Sequence, residues 1–307
     1  MNVCYSSCVH RGHLLRLYRF GEVGVSFRAG MKSAFSMPLP THFQFSQASL
    51  SDYADCPRRF QLRYVLQQAW PAVEAEPLLE RERLLALGQR FHRLIQQHVE
   101  GLPVEALTAS LGEAELVRWW QNYLRALNTT LSDLPASRRA EVALSIPFAG
   151  YRLLAHFDLI AADADRAVIV DWKTEQRRPT REQLSNRLQT RVYRYLLTEV
   201  QQRPPGTVSM IYWFAQHPDR PEVLTYDAAQ HAADGAILRE LVEEIAGRAA
   251  QDGEWDKTPH ERKCAYCTYR SLCRRGVVAG VIDPDQDEAE LDPDIDFRLD
   301  DIDPIEY

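Results

Sequence analysis

A short apolar segment that ends in an acid and a lysine constrains this chain more than any other feature. Residues 167–174 have the sequence Ala-Val-Ile-Val-Asp-Trp-Lys-Thr, which begins with a continuous apolar run. Such a run is typical of a strand buried on both faces. Because side chains alternate along a strand, Asp171 and Lys173 share one face and Trp172 takes the other. Two ionic groups emerging from a buried strand are costly, which favours a functional role.

A second strand pattern precedes the first. Leu153, Ala155, Phe157 and Leu159 alternate with other residues, and we expect Asp158 to end this strand. A hairpin of the two strands would bring Asp158 beside Asp171, and paired carboxylates suit Mg²⁺ or Mn²⁺. The alternative is an ordinary surface ion pair between Asp171 and Lys173 with an exposed Asp158 nearby.

Periodicity along the rest of the chain predicts an α/β protein. Apolar residues at helical spacing predict helices at 80–99, 113–127, 181–200 and 228–249. Alternating or continuous apolar residues predict strands near 142–146, 153–159, 167–170, 207–214 and 222–226. No apolar run approaches the roughly 18 residues that a membrane span needs, so we expect no membrane association.

The charge of the chain is unevenly distributed, which suggests three regions. Residues 283–307 contain 12 acidic residues and one basic residue, leaving a net charge of +4 on the rest. We expect residues 279–307 to be a disordered acidic tail. Residues 1–40 form a leader of uncertain start, with Met31 and Met37 as alternative start sites. The intervening residues 41–278 are the predicted folded domain, and their mildly basic charge is compatible with phosphate binding.

Four of the six cysteines form a pattern that suggests a metal centre. Cys264, Cys267 and Cys273 lie close together near the C-terminus, and Cys56 lies far upstream. Four thiolates can complete either a zinc site or an iron–sulfur cluster, and spacing alone does not distinguish these two. Because six cysteines are too few for a disulfide scaffold, we expect a reducing, cytoplasmic location.

The carboxylate and lysine pattern resembles the PD-(D/E)XK nucleases, in particular their RecB-like branch. That branch has a helical Gly-x-x-x-His, an Asp ending one strand, an Asp-x-Lys-Thr ending the next, and a Gln-x-x-x-Tyr on the following helix. This chain has the matching residues in the same order, with a further Glu on the preceding strand: Gly88, His92, Glu141, Asp158, Asp171, Lys173, Thr174, Gln189 and Tyr193. It departs from the pattern at Ala155 and Leu159, where the branch usually has Gly and Arg.

The resemblance implies a role for each matching residue. It implies that His92, Asp158 and Asp171 bind Mg²⁺ or Mn²⁺, with the main-chain carbonyl of Trp172 as a further ligand. Lys173 would be catalytic, and Glu141, Gln189 and Tyr193 would complete the catalytic site. Each of three residues also has a simpler interpretation: His92 and Tyr193 as core residues, and Glu141 as a surface residue at a strand start.

The cysteine pattern is similar to that of the iron–sulfur nucleases of this superfamily, such as the CRISPR-associated exonuclease and the AddB nuclease domain. It implies that Cys56, Cys264, Cys267 and Cys273 hold a [4Fe–4S] cluster. The expected fold is a restriction-endonuclease-like α/β core, in which helices flank a small mixed sheet and the four-cysteine cluster closes the chain. The expected function is DNA hydrolysis on single strands or free ends in repair or recombination, with a helicase or recombination partner. The alternative is a non-catalytic DNA-binding or structural subunit of a helicase–nuclease complex.

Overall fold

The computed structural model describes residues 38–68, 76–264 and 267–276. Most of the predicted leader and the whole predicted acidic tail lie outside these residues. Within them, no helix is long and apolar enough to cross a membrane. The described strands are β1 Gln44–Ser46, β2 Ser137–Phe148, β3 Tyr151–Ala162, β4 Ala167–Lys173, β5 Val208–Phe214 and β6 Glu222–Thr225. The α-helices are α1 Gln47–Asp55, α2 Pro57–Phe60, α3 Glu76–Val99, α4 Val104–Ala109, α5 Ala114–Ala126, α6 Arg181–Asn186, α7 Leu188–Gln201 and α8 Ala228–Ala249.

The six strands form one mixed sheet. β1 pairs with β3 and β4 pairs with β5 in parallel, whereas β2 with β3, β3 with β4, and β5 with β6 are antiparallel. β2 runs along one edge of β3 from end to end. β1 and β4 therefore share the other edge: β1 pairs with 152–154 and β4 with 159–162. The prediction of a small mixed sheet flanked by helices is confirmed.

Two hydrophobic cores cover the two faces of the sheet. One core lies between the sheet and helices α1, α7 and α8, and contains apolar residues such as Leu50, Leu196 and Val242. The other lies between the sheet and helices α3, α4 and α5, and is rich in tryptophan. In β4, Ile169 packs into the first core and Val170 into the second, as a strand buried on both faces requires. The molecule therefore has three layers.

The structure corrects two predictions from periodicity and adds two elements that periodicity did not predict. Asp158 does not end its strand, because β3 continues for four more residues to Ala162. The helix predicted at 181–200 is two helices, α6 and α7, since the backbone of Arg187 is extended and starts the second helix. β1 and α4 were not predicted, because three and six residues are too few to show a clear period.

Candidate active site

The sheet opens between β3 and β4, and this opening is the centre of the candidate site. The ladder between the two strands stops at the pair Leu159–Val170. If the ladder continued, the next pair would be Asp158 and Asp171. Instead, the main chain of Trp172 is hydrogen-bonded to two side chains. Its N–H donates to Asp158 Oδ2 at 2.8 Å, and its carbonyl accepts from His92 Nε2 at 3.0 Å. We call this gap the fork. At the fork, the side chains of Asp158 and His92 satisfy the main-chain N–H and carbonyl of Trp172, which β3 no longer pairs with.

Glu141 lies opposite Asp158 on β2, the strand that pairs with the other edge of β3. In the β2–β3 register, Glu141 stands between the pairs Ala140–Leu159 and Val142–Phe157, opposite Asp158. Its φ of 49° lies in the left-handed region that is unfavourable for a residue with a side chain. At this residue the side chains of β2 switch from one face of the sheet to the other. Ala140 packs against the tryptophan-rich core, whereas Val142, two residues later, packs against the other core. Such strain is concentrated at functional sites.

His92 reaches the fork from helix α3. The helix lies close to the end of β4 because Gly88 has no side chain: a Cβ at Gly88 would lie 3.3 Å from Thr174 Oγ1. One turn later, His92 Nδ1 lies 3.4 Å from Asp158 Oδ1 and 4.0 Å from Glu141 Oε1. The spacing of Gly88 and His92 thus has a physical reason, since the glycine brings the histidine within reach of the carboxylates.

His92, Glu141 and Asp158 form a group suited to a metal ion. Their ligand atoms all lie within 4.8 Å of one another. One imidazole and two carboxylates suit Mn²⁺ well and Mg²⁺ with added water ligands, so the residues present fit the expected ion. This set differs from the predicted one, because Glu141 joins it and Asp171 lies outside it. The Trp172 carbonyl borders the group through His92.

The charges of this group depend on one another. Burial disfavours the charged form of His92, but the carboxylates of Asp158, Glu141 and Asp171 outweigh burial and raise its pKa to about 9. Burial and the neighbouring Asp158 raise the pKa of Glu141 to about 7, although His92 opposes this. Asp158 has a lowered pKa despite its burial, because His92, Lys173 and the Trp172 N–H favour its charged form. The negative charge around Asp158 therefore favours a cation beside it, either protonated His92 or a metal ion.

Asp171 and Lys173 lie beside the fork, on the face of β4 that meets helix α7. Each is only 2% exposed, and Lys173 Nζ lies 3.0 Å from Asp171 Oδ2. Gln189 Nε2 donates to Asp171 Oδ1 at 2.8 Å, and the Tyr212 hydroxyl donates to Gln189 Oε1 at 3.2 Å. These contacts fix the Asp171 carboxylate from both sides. Sequence reasoning missed Tyr212, which it assigned only to an apolar strand.

Tyr193 is buried beside the strand that carries Asp158. Its side chain is 1% exposed, and its ring packs against Phe157 with centroids 4.8 Å apart. Phe157 immediately precedes Asp158 on β3. The Tyr193 ring therefore supports the strand that carries Asp158 from within the core, and its role in the site stays a prediction.

The four predicted cluster cysteines are all free thiols near the two ends of the described chain. Cys56 and Cys273 are buried, and Cys264 and Cys267 are half-buried. Burial raises the pKa of the Cys273 thiol, and the neighbouring Cys56 raises it further.

Comparisons with known proteins identify a family and several similar solved structures. The solved structure of SSO0001 is 13% identical, with a TM-score of 0.36, over 76% of this chain and 88% of that chain. A structure from Eubacterium rectale, described as a candidate exonuclease, is 11% identical, with a TM-score of 0.46, over 80% of this chain and 91% of that chain. A search of curated proteins gave no match. The family model of the PD-(D/E)XK nuclease superfamily matches residues 44–274, so the chain belongs to that superfamily.

Proposed function

We propose that this chain is a metal-dependent deoxyribonuclease that acts on single-stranded DNA or on DNA ends. The observation that carries the proposal is the meeting of one helix and three strands at the fork. His92 comes from α3, Glu141 and Asp158 come from the β2–β3 hairpin, and Asp171 and Lys173 come from β4. To bring several ionisable groups together in a partly buried place is costly, which favours a functional role for them.

The proposed ion is Mg²⁺ or Mn²⁺, held by His92, Glu141 and Asp158 with Asp171 beside them. When bound, such an ion polarises a phosphoryl oxygen and acidifies a coordinated water. Asp171 orients the ammonium group of Lys173 at 3.0 Å, and Gln189 keeps Asp171 from rotating away. Lys173 then contributes a fixed positive charge where negative charge develops on the phosphate. Its burial strengthens this effect, because little water screens it.

We propose a [4Fe–4S] cluster bound by Cys56, Cys264, Cys267 and Cys273. Four free thiols at these positions are compatible with such a cluster, and a zinc ion is the alternative at the same site. The cluster would join the two ends of a domain that we place at residues 41–278. Anaerobically purified protein should be brown, with about four irons for each chain. A colourless protein with one zinc per chain would exclude the cluster and retain the cross-link.

The assay for catalysis compares single variants of the fork with a control on the same hairpin. Asp171→Asn and Lys173→Met should abolish Mn²⁺-dependent cleavage of linear single-stranded DNA, whereas Asp165→Asn, in the exposed turn before β4, should not. Melting temperatures check that all three variants fold. Wild-type rates in both fork variants would exclude the proposed chemistry. Circular DNA as substrate separates exonuclease from endonuclease action.

The second candidate is a non-catalytic DNA-binding subunit. We consider it weaker because the fork has a complete set of ligands and a buried lysine. DNA binding without metal-dependent cleavage by the wild type would favour it. A role in repair or recombination, with a helicase partner in the cytoplasm, is the context we propose for either candidate, and copurification with a helicase would test it.

A further inference from the structure

The sheet face that meets α3 is covered on one side of the Glu141–Asp158 pair and open on the other. Among the described apolar residues of β2 and β3, Ala140, Leu159 and Ala161 contact the tryptophan-rich core of this face. All three lie on the side of the pair that is away from the hairpin turn. The core therefore ends at the fork.

Six residues of the hairpin continue the same face from the fork towards the turn. Their neighbours along each strand, such as Leu144 and Leu153, pack into the other core, so the six side chains point away from that core. Ala143, Pro147 and Arg152 are exposed, and the other three are half-buried. The six residues, which we call the open face, are Ala143, Ser145, Pro147, Arg152, Leu154 and His156.

The charge of the open face suits an anionic ligand. None of its six residues is acidic, and Arg152 provides a positive charge. Arg152 Nη2 donates to the hydroxyl and the main-chain carbonyl of Ser145, which holds the guanidinium group against the sheet. In the described part of the chain, the Nε and Nη1 groups of Arg152 make no hydrogen bond or ion pair. These donors suit the oxygens of a phosphate.

His156 and Leu154 add a surface that suits a base. They are two residues apart on β3 and share the open face. Leu154 belongs to neither of the two cores. Within the described residues, the His156 imidazole makes no hydrogen bond, ion pair or ring contact. A planar ring beside an aliphatic side chain, neither of them engaged by the fold, is suited to stacking against a nucleobase.

The open face leads to the proposed metal ligands. His156 is two residues from Asp158 on β3, which is about 7 Å along a strand, and Arg152 is about 20 Å from Asp158. His156 pairs with Ala143, which is two residues from Glu141 on β2. An extended ligand on this face therefore reaches the carboxylates at its end.

We propose that a single strand of the substrate DNA lies along the open face and enters the fork from it, with a backbone phosphate on Arg152 and a base on His156 and Leu154. The inference rests on the proposed nuclease function and names the path of its substrate. Stacking on His156 needs an unpaired base, so the face selects single-stranded over double-stranded DNA.

The first test measures binding of fluorescent single-stranded DNA of about 12 nucleotides, in EDTA, between about 50 and 200 mM salt. Arg152→Gln should weaken binding roughly tenfold and lower the slope of log K against log salt by about 0.7, whereas Arg152→Lys should keep the slope. His156→Ala should weaken binding roughly tenfold with an unchanged slope, and His156→Phe should restore it, because a phenyl ring also stacks. Arg166→Gln, at the turn before β4, is the control and should change neither quantity.

The second test is a gain of affinity, which a loss of folding cannot produce. Ala143→Lys adds a positive charge to the open face and should strengthen binding severalfold, with a steeper salt dependence. Ala233→Lys is the matched control, because Ala233 is an exposed alanine of α8, the helix that packs on the other face of the sheet. It should strengthen binding less.

Unchanged affinity in both Arg152→Gln and His156→Ala would overturn the proposal, as would equal gains from the two lysines. A His156→Phe variant that binds as weakly as His156→Ala would refute the base contact. If His156→Ala does not fold, Ala143→Lys decides. Cleavage by the wild type with Mn²⁺ is measured in parallel. A wild type that cleaves DNA while the variants bind it unchanged refutes only the open face, whereas one that binds DNA on the open face without cleavage refutes the nuclease function.

Discussion

The left-handed backbone of Glu141 predicts an unusual response to glycine. A residue with a side chain costs about 1–2 kcal/mol in this region, and glycine has no such cost. In an ordinary strand, glycine is instead less stable than alanine by about 0.5–1 kcal/mol, because it loses more entropy on folding. The difference between the two effects leaves Glu141→Gly more stable than Glu141→Ala by about 0.5–1 kcal/mol. For a domain of this size, that is a rise in melting temperature of roughly 2–3 °C.

The comparison with alanine isolates the backbone, since both variants lose the same carboxylate. Urea and thermal unfolding would be measured anaerobically without divalent ions. Ala143→Gly, at an exposed position two residues further along β2, is the control and should lower stability by about 0.5–1 kcal/mol. Both Glu141 variants should need more Mn²⁺ for cleavage. Equal or lower stability of Glu141→Gly relative to Glu141→Ala would refute the argument that Glu141 is strained.

Three further predictions concern groups away from the fork. Asp234→Asn should lower the free energy of unfolding in urea by roughly 3 kcal/mol, because Asp234 offsets the charge of Arg194, which is only 4% exposed. A decrease of less than about 1 kcal/mol would contradict this prediction. Burial lowers the pKa of His98, so the unfolded chain binds a proton at this residue more readily than the folded chain does. The free energy of unfolding should therefore fall as the pH drops below about 6.5. In His98→Gln, the urea midpoint should depend less on pH over that range. Cys56→Ala should be sensitive to limited proteolysis, because the proposed shared centre would close a loop of more than 200 residues and would restrict the unfolded chain by roughly 4–5 kcal/mol. A resistant, active variant would argue against the cross-link.

The regular spacing of apolar residues in the sequence predicted much of the fold. The helix predicted at 228–249 has those bounds in the structure, where an Asp227 side chain caps its start. The alternating residues of β3 and the apolar run of β4 form the predicted antiparallel hairpin. These features were predictable because each depends on residues near one another in the sequence.

The set of groups at the fork was less predictable, because it depends on contacts between distant segments. The end of the β3–β4 ladder is decided by the Trp172 main chain, which bonds to His92 eighty residues upstream. Nothing in the sequence around Glu141 signals a left-handed residue, since no glycine stands there. The hydrogen bonds from Gln189 to Asp171 and from Tyr212 to Gln189 likewise join separate elements. Period and propensity describe single segments and carry no information on such contacts.

The fork also accounts for the way in which a close cluster of acids is tolerated. Glu141, Asp158 and Asp171 lie in one row across three strands, and their repulsion would be severe in a closed sheet. The opening admits a cation from each side: His92 from the layer of α3, and Lys173 from the face that meets α7. Two cations against three acids leave at most one negative charge, and the raised pKa of Glu141, about 7, reduces it further. A divalent ion between His92 and the two hairpin carboxylates would replace the proton that balances the cluster. The electrostatic balance of the fold and its proposed metal affinity thus have the same origin.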